Sequence, residues 1–247
     1  RSYLPRIDDG QIQLIMLRAQ EMSRYVEDGV LDAGITGYDW IMENGSDVAE
    51  ICELAYSKTT SNPARWVLVV PDESKVNDVK DLAGGIVATE LVNVTKKYFA
   101  DKNINVKVEF SWGATEVKAR LVDAIVELTE TGTSLQANNL RILDTVISST
   151  TRFIANKQAW NDKFKREKIE NISILLNAAI EARSKVGLKM NIKKDALKSN
   201  LKILPAEKSP TVSALADPGY VAIEVIIEDK IERSLVPPLK RAGASGI

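Results

Sequence analysis

The sequence predicts an α/β protein in two parts, repeated strand and helix units over residues 1–155 and then a smaller βαββαβ unit of the ferredoxin-like kind. Three observations carry this expectation. Short apolar runs bounded by Gly or Pro alternate with amphipathic stretches through residue 155, which is the pattern of a layered α/β sheet. A long amphipathic stretch follows at 156–183. The remainder then orders itself as strand, helix, strand, strand, helix, with 246–247 opening a last strand.

Taken in order, 11–17 (QIQLIML) alternates like a strand with no capped element before it, so further chain is expected upstream. Residues 21–29 have helical spacing with Tyr25 and Val26 inward, Gly29 stops the helix, and 33–35 follow as a short buried strand. The run 66–70 (WVLVV), ended by Pro71, reads as a central strand of a parallel or mixed sheet. Residues 72–82 suit a turn and helix, and strands 85–88 (GIVA) and 105–110 (NVKVEF) flank a helix at 91–102. After an apolar strand at 122–128 come a Gly-containing loop, a helix at 136–143 and one long strand at 145–155 carrying Arg152. The 156–183 helix has Phe164, Ile169, Ile172, Leu175, Leu176 and Ala179 as its apolar stripe. Beyond it lie strand 187–192, helix 195–204, strands 211–215 and 220–227, and helix 231–242.

Composition excludes several classes of function. With 45% hydrophobic and 27% charged residues the chain is globular rather than disordered. Lys and Arg total 33 against 34 Asp and Glu, and a net charge of -1 gives no general attraction to a nucleic acid polymer while leaving small anions open. Cys52 is the one cysteine, so no disulfide forms within the chain, and it is expected as a small buried apolar residue. No run approaches the ~18 apolar residues needed to span a bilayer, and no signal pattern opens the sequence, so a cytoplasmic protein is expected. The histidine count is 0, which removes a Ser/His/Asp triad, a Cys/His pair, a His-ligated zinc and an imidazole acid or base from these residues. Catalysis here rests on carboxylates, hydroxyls, backbone amides, cations or a bound metal.

The stretch 121–135 (LVDAIVELTETGTSL) carries the chemistry. An apolar strand bearing Asp123 and Glu127 runs into a Thr-Gly-Thr-Ser turn before a helix. Strand, tight turn and helix start make an anion cradle, because unpaired backbone N–H groups and the helix dipole converge there. Gly132 lets the backbone approach a phosphate, while the hydroxyls of Thr131, Thr133 and Ser134 add donors. Upstream carboxylates suit the two hydroxyls of a ribose. Thr-Gly-Thr-Ser is also a common turn and cap composition with no ligand, and on pattern alone both readings stand.

The run 123–135 closely resembles the phosphoribosyl pyrophosphate motif of ATP phosphoribosyltransferases, and Ala137, Asn138, Asn139 and Leu140 continue the likeness. Residues 26–39 (VEDGVLDAGITGYD) resemble the family's strand and turn in its first lobe, and 113–117 (GATEV) match a further segment. Residues 209–216 (SPTVSALA) resemble part of the long form's carboxy-terminal domain, so the likeness covers nearly the whole chain. It implies two periplasmic-binding-protein-like (type II) lobes followed by a ferredoxin-like βαββαβ regulatory domain. The expected division is 1–64 with 146–165 as first lobe, 65–145 as second lobe, 166–185 as connector helix and 186–247 as regulatory domain.

By resemblance, Thr131, Gly132, Thr133, Ser134 and Leu135 hold the ribose phosphate, and Asp123 and Glu127 face the ribose hydroxyls. Arg18, Thr36 and Glu116 are candidates for the cleft wall. From the residues alone, Arg18 is equally a salt-bridge partner and Thr36 a strand-end cap. Ser209 and Thr211 would contact histidine as an inhibitor, although Ser-Pro-Thr also shapes entry into an edge strand. The implied reaction joins ATP to phosphoribosyl pyrophosphate, giving phosphoribosyl-ATP and pyrophosphate at the first step of histidine biosynthesis. Mg²⁺ is the expected cofactor, with no protein ligand assigned to it. The expected assembly is a homo-oligomer, dimer to hexamer, with neither nucleic acid nor membrane as partner.

Three departures from the family pattern stand out. The family's opening strand and Lys/Arg-bearing loop have no counterpart here. Lys118, Ala119 and Arg120 stand where a proline is usual, and Ile247 falls inside the last expected strand. A solute-binding module and a non-catalytic paralogue remain open as other readings of the same fold. The charge run 163–168 (KFKREK) is expected to be a solvated helix face.

Overall fold

The computed structural model describes residues 3–54, 63–130, 132–205 and 209–247. They form two compact units, Arg1–Leu175 and Leu176–Ile247.

The first unit contains two sheets. Helix α1 (Ala19–Glu27) leads into β1 (Ala33–Gly37), α2 (Tyr38–Asn44) and β2 (Ala49–Leu54). The chain then builds the second sheet through β3 (Ala64–Pro71), β4 (Ile86–Thr89), α3 (Val92–Asp101), β5 (Lys107–Phe110), α4 (Thr115–Lys118), β6 (Ala124–Thr129), α5 (Thr133–Ala137) and β7 (Leu140–Ser149). It returns to the first sheet as β8 (Thr151–Ala155), followed by α6 (Lys157–Asn161) and α7 (Lys163–Ala182). The sheet orders are β1-β8-β2 and β5-β4-β6-β3-β7. Strands β5, β4 and β6 run parallel, whereas β3 is antiparallel to both its neighbours. Two α/β lobes joined by two chain crossings are the expected two-lobed arrangement.

Strand β3 shows why 66–70 is apolar without interruption. Trp66, Leu68 and Val70 pack on one side with Leu82, Leu91 and Phe99. Val67 and Val69 pack on the other with Ala88, Ile125 and Leu135. A strand covered on both faces has no polar side to declare.

Several expected elements are corrected. Residues 11–17 form no strand: Ile15 and Met16 are exposed, and the Met16 N–H donates to the Tyr3 carbonyl at 2.8 Å. Alternation alone does not make a strand without a neighbour to pair with. The helix expected over 136–143 ends at Ala137, because Asn139 adopts a left-handed φ of 56° and Leu140 opens β7. The single strand expected over 145–155 is two strands in different sheets, with Thr150 between them. The helix expected over 156–183 breaks at Asp162, whose ψ of 122° is extended and whose carboxylate caps α7 by accepting the Lys165 N–H at 2.9 Å. Of its stripe, Ile169 is buried while Phe164 and Leu175 are exposed. Cys52 is half-buried rather than buried.

The second unit comprises β9 (Lys185–Lys193), α8 (Leu197–Leu201), β10 (Thr211–Ala214), β11 (Tyr220–Glu228) and α9 (Glu232–Arg241). Its antiparallel sheet has the order β10-β11-β9. Ser245 bridges Asn191 at the other edge of β9, with paired N–H···O bonds of 2.8 and 2.9 Å. With that bridge as the start of a fourth strand, the order is the ferredoxin-like one. Leu188, Met190 and Ile192 alternate along β9 into a core shared with Ile223, Val225, Leu235 and Leu239. Period-two burial on β9 and β11 is what one covered face requires.

Candidate active site

Because β5, β4 and β6 are parallel, their carboxyl ends share one rim, the place where α/β sheets receive ligands. Three connections meet there. After β6, Thr129 is buried and its Oγ1 accepts the Gly132 N–H at 2.7 Å, closing a tight turn. Gly132 has φ 79°, and a Cβ built on it would meet nothing within 4 Å, so the dihedral angle rather than lack of space requires glycine. Leu135 is buried in the core and pins the turn, while Thr133 and Ser134 are exposed. Thr131 lies outside the described residues.

After β5 the backbone turns through Gly113 at φ 100° and Ala114 at φ 49° into α4. A left-handed alanine costs about 1–2 kcal/mol, so the turn is held by its surroundings. Those surroundings are hydroxyls. The oxygens of Ser111 and Thr115, both buried, lie 2.9 Å apart, and Lys118 Nζ donates to Ser111 Oγ at 2.8 Å. After β4 comes Glu90, whose Oε1 stands 4.0 Å from where a Cβ on Gly113 would lie.

Glu127, on β6, faces this rim. Its carboxylate accepts the Leu128 N–H at 3.1 Å. Burial is the main cause that pushes its pKa above the ordinary carboxylate range, and the nearby charges of Glu116 and Glu90 push the same way. The rim therefore combines carboxylates able to accept from a diol with a glycine turn that opens a helix. Glu127, Glu116 and Gly132 are the expected residues brought together there. Glu90, Ser111 and Thr115 were not among the expected site residues; Glu90 and Ser111 directly follow β4 and β5, and Thr115 opens α4.

Asp123 is placed elsewhere. It stands at the amino end of β6, where Oδ2 accepts the Ile86 N–H at 2.8 Å and its own N–H donates to the Ile86 carbonyl at 3.1 Å. At about 3.3 Å per strand residue it lies roughly 13 Å from Glu127. Thr36 is buried on β1 and donates its hydroxyl to the Ala19 carbonyl at 2.8 Å, tying β1 to α1. Arg18, exposed, holds the N-cap position of the same helix. In the second unit the Ser209 hydroxyl points to the Pro210 carbonyl at 3.4 Å, and Thr211 opens β10, an edge strand exposed along its length.

Comparison with known proteins identifies the family. Residues 18–178 match the family model described as ATP phosphoribosyltransferase (HisG), and 182–247 match the HisG C-terminal domain. The ATP phosphoribosyltransferase of Chlorobium chlorochromatii (strain CaD3) is 58% identical over 248 aligned positions, covering 100% of this chain and 84% of that protein. That of Pelotomaculum thermopropionicum (strain DSM 13744 / JCM 10971 / SI) is 52% identical, covering 100% of this chain and 86% of that protein. A solved ATP phosphoribosyl transferase (HisG:HisZ) complex from Thermotoga maritima gives a TM-score of 0.61 at 28% identity, over 70% of this chain and 82% of that one. Fold and relatives together define a phosphoribosyl-transferring enzyme of the glycosyltransferase class. The chain belongs to the ATP phosphoribosyltransferase family, in its long form, and catalyses the first step of histidine biosynthesis with ATP and phosphoribosyl pyrophosphate as substrates. Among the described residues no helix is long and apolar enough to cross a membrane.

Proposed function

We propose that the transfer takes place at the rim formed by β4, β5 and β6. The ribose phosphate lies on the turn Thr131, Gly132, Thr133, Ser134 and Leu135, and Glu127 accepts the ribose hydroxyls with Glu116 beside it. The observation that carries this reading is the meeting of the Thr129–Gly132 turn with the Glu127 carboxylate at one set of strand ends. Asp123, engaged at the far end of β6, serves instead to fix that strand's start against β4. Arg18 and Thr36 shape the first lobe's wall at the start of α1.

An adenine ring nitrogen attacks the anomeric carbon while the bond from that carbon to pyrophosphate breaks, the electron pair leaving with pyrophosphate and the configuration inverting. The nucleophile is neutral, so no strong base is needed and the absence of histidine costs nothing. Positive charge grows on the ribose ring in the transition state, and the Glu127, Glu116 and Glu90 carboxylates supply a negative field beside it. The remaining task is to hold the two substrates in line, which removes much of the entropic barrier. Among the described residues no group of three or more His, Cys, Asp or Glu is placed to hold a metal ion. Mg²⁺ is read as carried on the pyrophosphate oxygens of the substrate, where it would neutralise the leaving charge.

In the second unit Ser209 and Thr211 would receive histidine as inhibitor, acting on a cytoplasmic homo-oligomer, dimer to hexamer. Inhibition of that kind needs two states that histidine distinguishes. The test of the active-site reading is pyrophosphate release from ATP and phosphoribosyl pyrophosphate by Glu127→Gln. A large loss supports the assignment, and full activity removes it.

A further inference from the structure

Helix α3 of the second lobe is capped from the first. Its N-cap residue, Leu91, makes no side-chain cap bond, and its first turn holds no acidic residue. The N–H groups that a helix start leaves unpaired are met instead by Glu43 of α2. One of its carboxylate oxygens accepts the Asn93 N–H and the other the Val94 N–H, each at 2.9 Å. Asn93 answers with its side-chain amide, which donates to the Glu43 carbonyl at 2.9 Å.

The same helix α2 carries a second tie of different character. Asp39, one turn earlier and about 6 Å along the axis, is buried, and it accepts the Trp66 indole N–H and the Ser149 hydroxyl beside the chain crossing at Thr150. Breaking that tie would strand buried partners. Glu43 is only half-buried and Asn93 is exposed, so water takes over their hydrogen bonds when they part.

We propose that Glu43 is a releasable latch between the two lobes, engaged in this structure, with the Asp39 junction as the pivot that holds when it lets go. Helix α3 opens two residues beyond Glu90, directly after β4, so the latch closes the cleft at the rim of β4, β5 and β6. That consequence rests on the reading of the rim as the active site; the latch itself is tested without substrate.

The test is the separation of the lobes in the full chain, measured by pulsed dipolar electron spin resonance. Spin labels go on Arg24→Cys in α1 and Lys97→Cys in α3, both exposed positions, in a Cys52→Ser background so that no third thiol reacts. Excess unlabelled chain keeps the measured pairs within one molecule. The parent is expected to show one dominant separation. Glu43→Ala is expected to add a longer one and to raise the ratio of longer to shorter about tenfold, the worth of one hydrogen bond to a charged group. Adding Asn93→Asp to Glu43→Ala gives α3 a carboxylate in its own first turn with no tie to α2. This double variant is expected to recover the melting temperature lost by Glu43→Ala and to keep the longer separation. Glu43→Gln, with one acceptor oxygen left, is expected to fall between parent and Glu43→Ala, and it is the deciding arm if Glu43→Ala does not fold. A separation unchanged from the parent overturns the latch. So does loss of the longer separation in the double variant, which would make Glu43 a helix cap and nothing more. The active-site reading stands or falls separately, on pyrophosphate release by Glu127→Gln.

Discussion

Trp66 donates its indole N–H to the Asp39 carboxylate over 2.6 Å, and this bond joins the two lobes of the first unit. Asp39 lies in α2 beside the first sheet, and Trp66 lies on β3 of the second. Ser149, at the end of β7, donates to the other carboxylate oxygen at 2.8 Å. Asp39 is 5% exposed, so outgoing and returning strands meet one buried group. Gly37 makes room for it, since a Cβ there would fall 2.0 Å from Asp39 Oδ1.

Both Asp39 oxygens face donors, so Asp39→Asn places an amide NH₂ against one of them. Leaving a buried donor unpaired costs about 1–3 kcal/mol. Urea denaturation should show that loss, and unchanged stability would mean that this junction carries little of the fold.

Gly132→Ala forces an L side chain into φ 79° with open space around it. The expected cost is about 1–2 kcal/mol from the dihedral alone. The turn's N–H groups should also re-aim, raising KM for phosphoribosyl pyrophosphate more than KM for ATP. A wild-type KM with an unchanged melting temperature would contradict both statements.

The two carboxylates of the motif should separate by variant. Glu127→Gln should lower kcat/KM for phosphoribosyl pyrophosphate by about 10- to 100-fold, the range of hydrogen bonds to a charged group. Asp123→Asn should leave turnover near the parent value and lower stability by about 1 kcal/mol through the Ile86 contact. The opposite ranking would restore Asp123 to the substrate.

Glu127 has to be ionised to accept ribose hydroxyls, and burial raises its pKa above the ordinary value of about 4.3. Its ionised fraction falls as pH falls through the raised value, so kcat/KM should decline on the acid side before an ordinary glutamate would titrate. For stability the sign is opposite: the fold favours the protonated form, and this group's contribution is lost as pH rises through its folded pKa. An acid limb where an ordinary glutamate titrates would contradict the raised value.

Asp144 gives a purely structural pH dependence. The Tyr98 hydroxyl donates to it and Lys102 Nζ lies 3.4 Å away, which hold its carboxyl below the usual range, with the Tyr98 bond the largest cause. That stabilisation is present above about pH 3.9 and lost as pH falls through the lowered value. Asp144→Asn should therefore melt below the parent at pH 7 and converge with it in acid. A constant gap would refute the linkage.

Much of this was legible in the sequence where one local rule acted alone. The run 66–70 had to be a doubly covered strand, and β9 and β11 announced one covered face by alternation. Tertiary pairing decided the rest. Residues 145–155 look continuous, yet β7 and β8 pair in different sheets on either side of Thr150. The motif also put Asp123 and Glu127 in one phrase, whereas a strand separates them in space. Ser111, Thr115 and Glu90 become a site only when three parallel strands end together, which no single window of sequence contains.

The most direct measurement is a crystal structure of the full chain soaked with Mg²⁺ and phosphoribosyl pyrophosphate. The sugar's 5-phosphate is expected on the backbone N–H groups of residues 132–135, with both ribose hydroxyls within hydrogen-bond distance of Glu127. A well-ordered sugar phosphate bound elsewhere, with Glu127 making no bond to it, would contradict the assignment of Glu127.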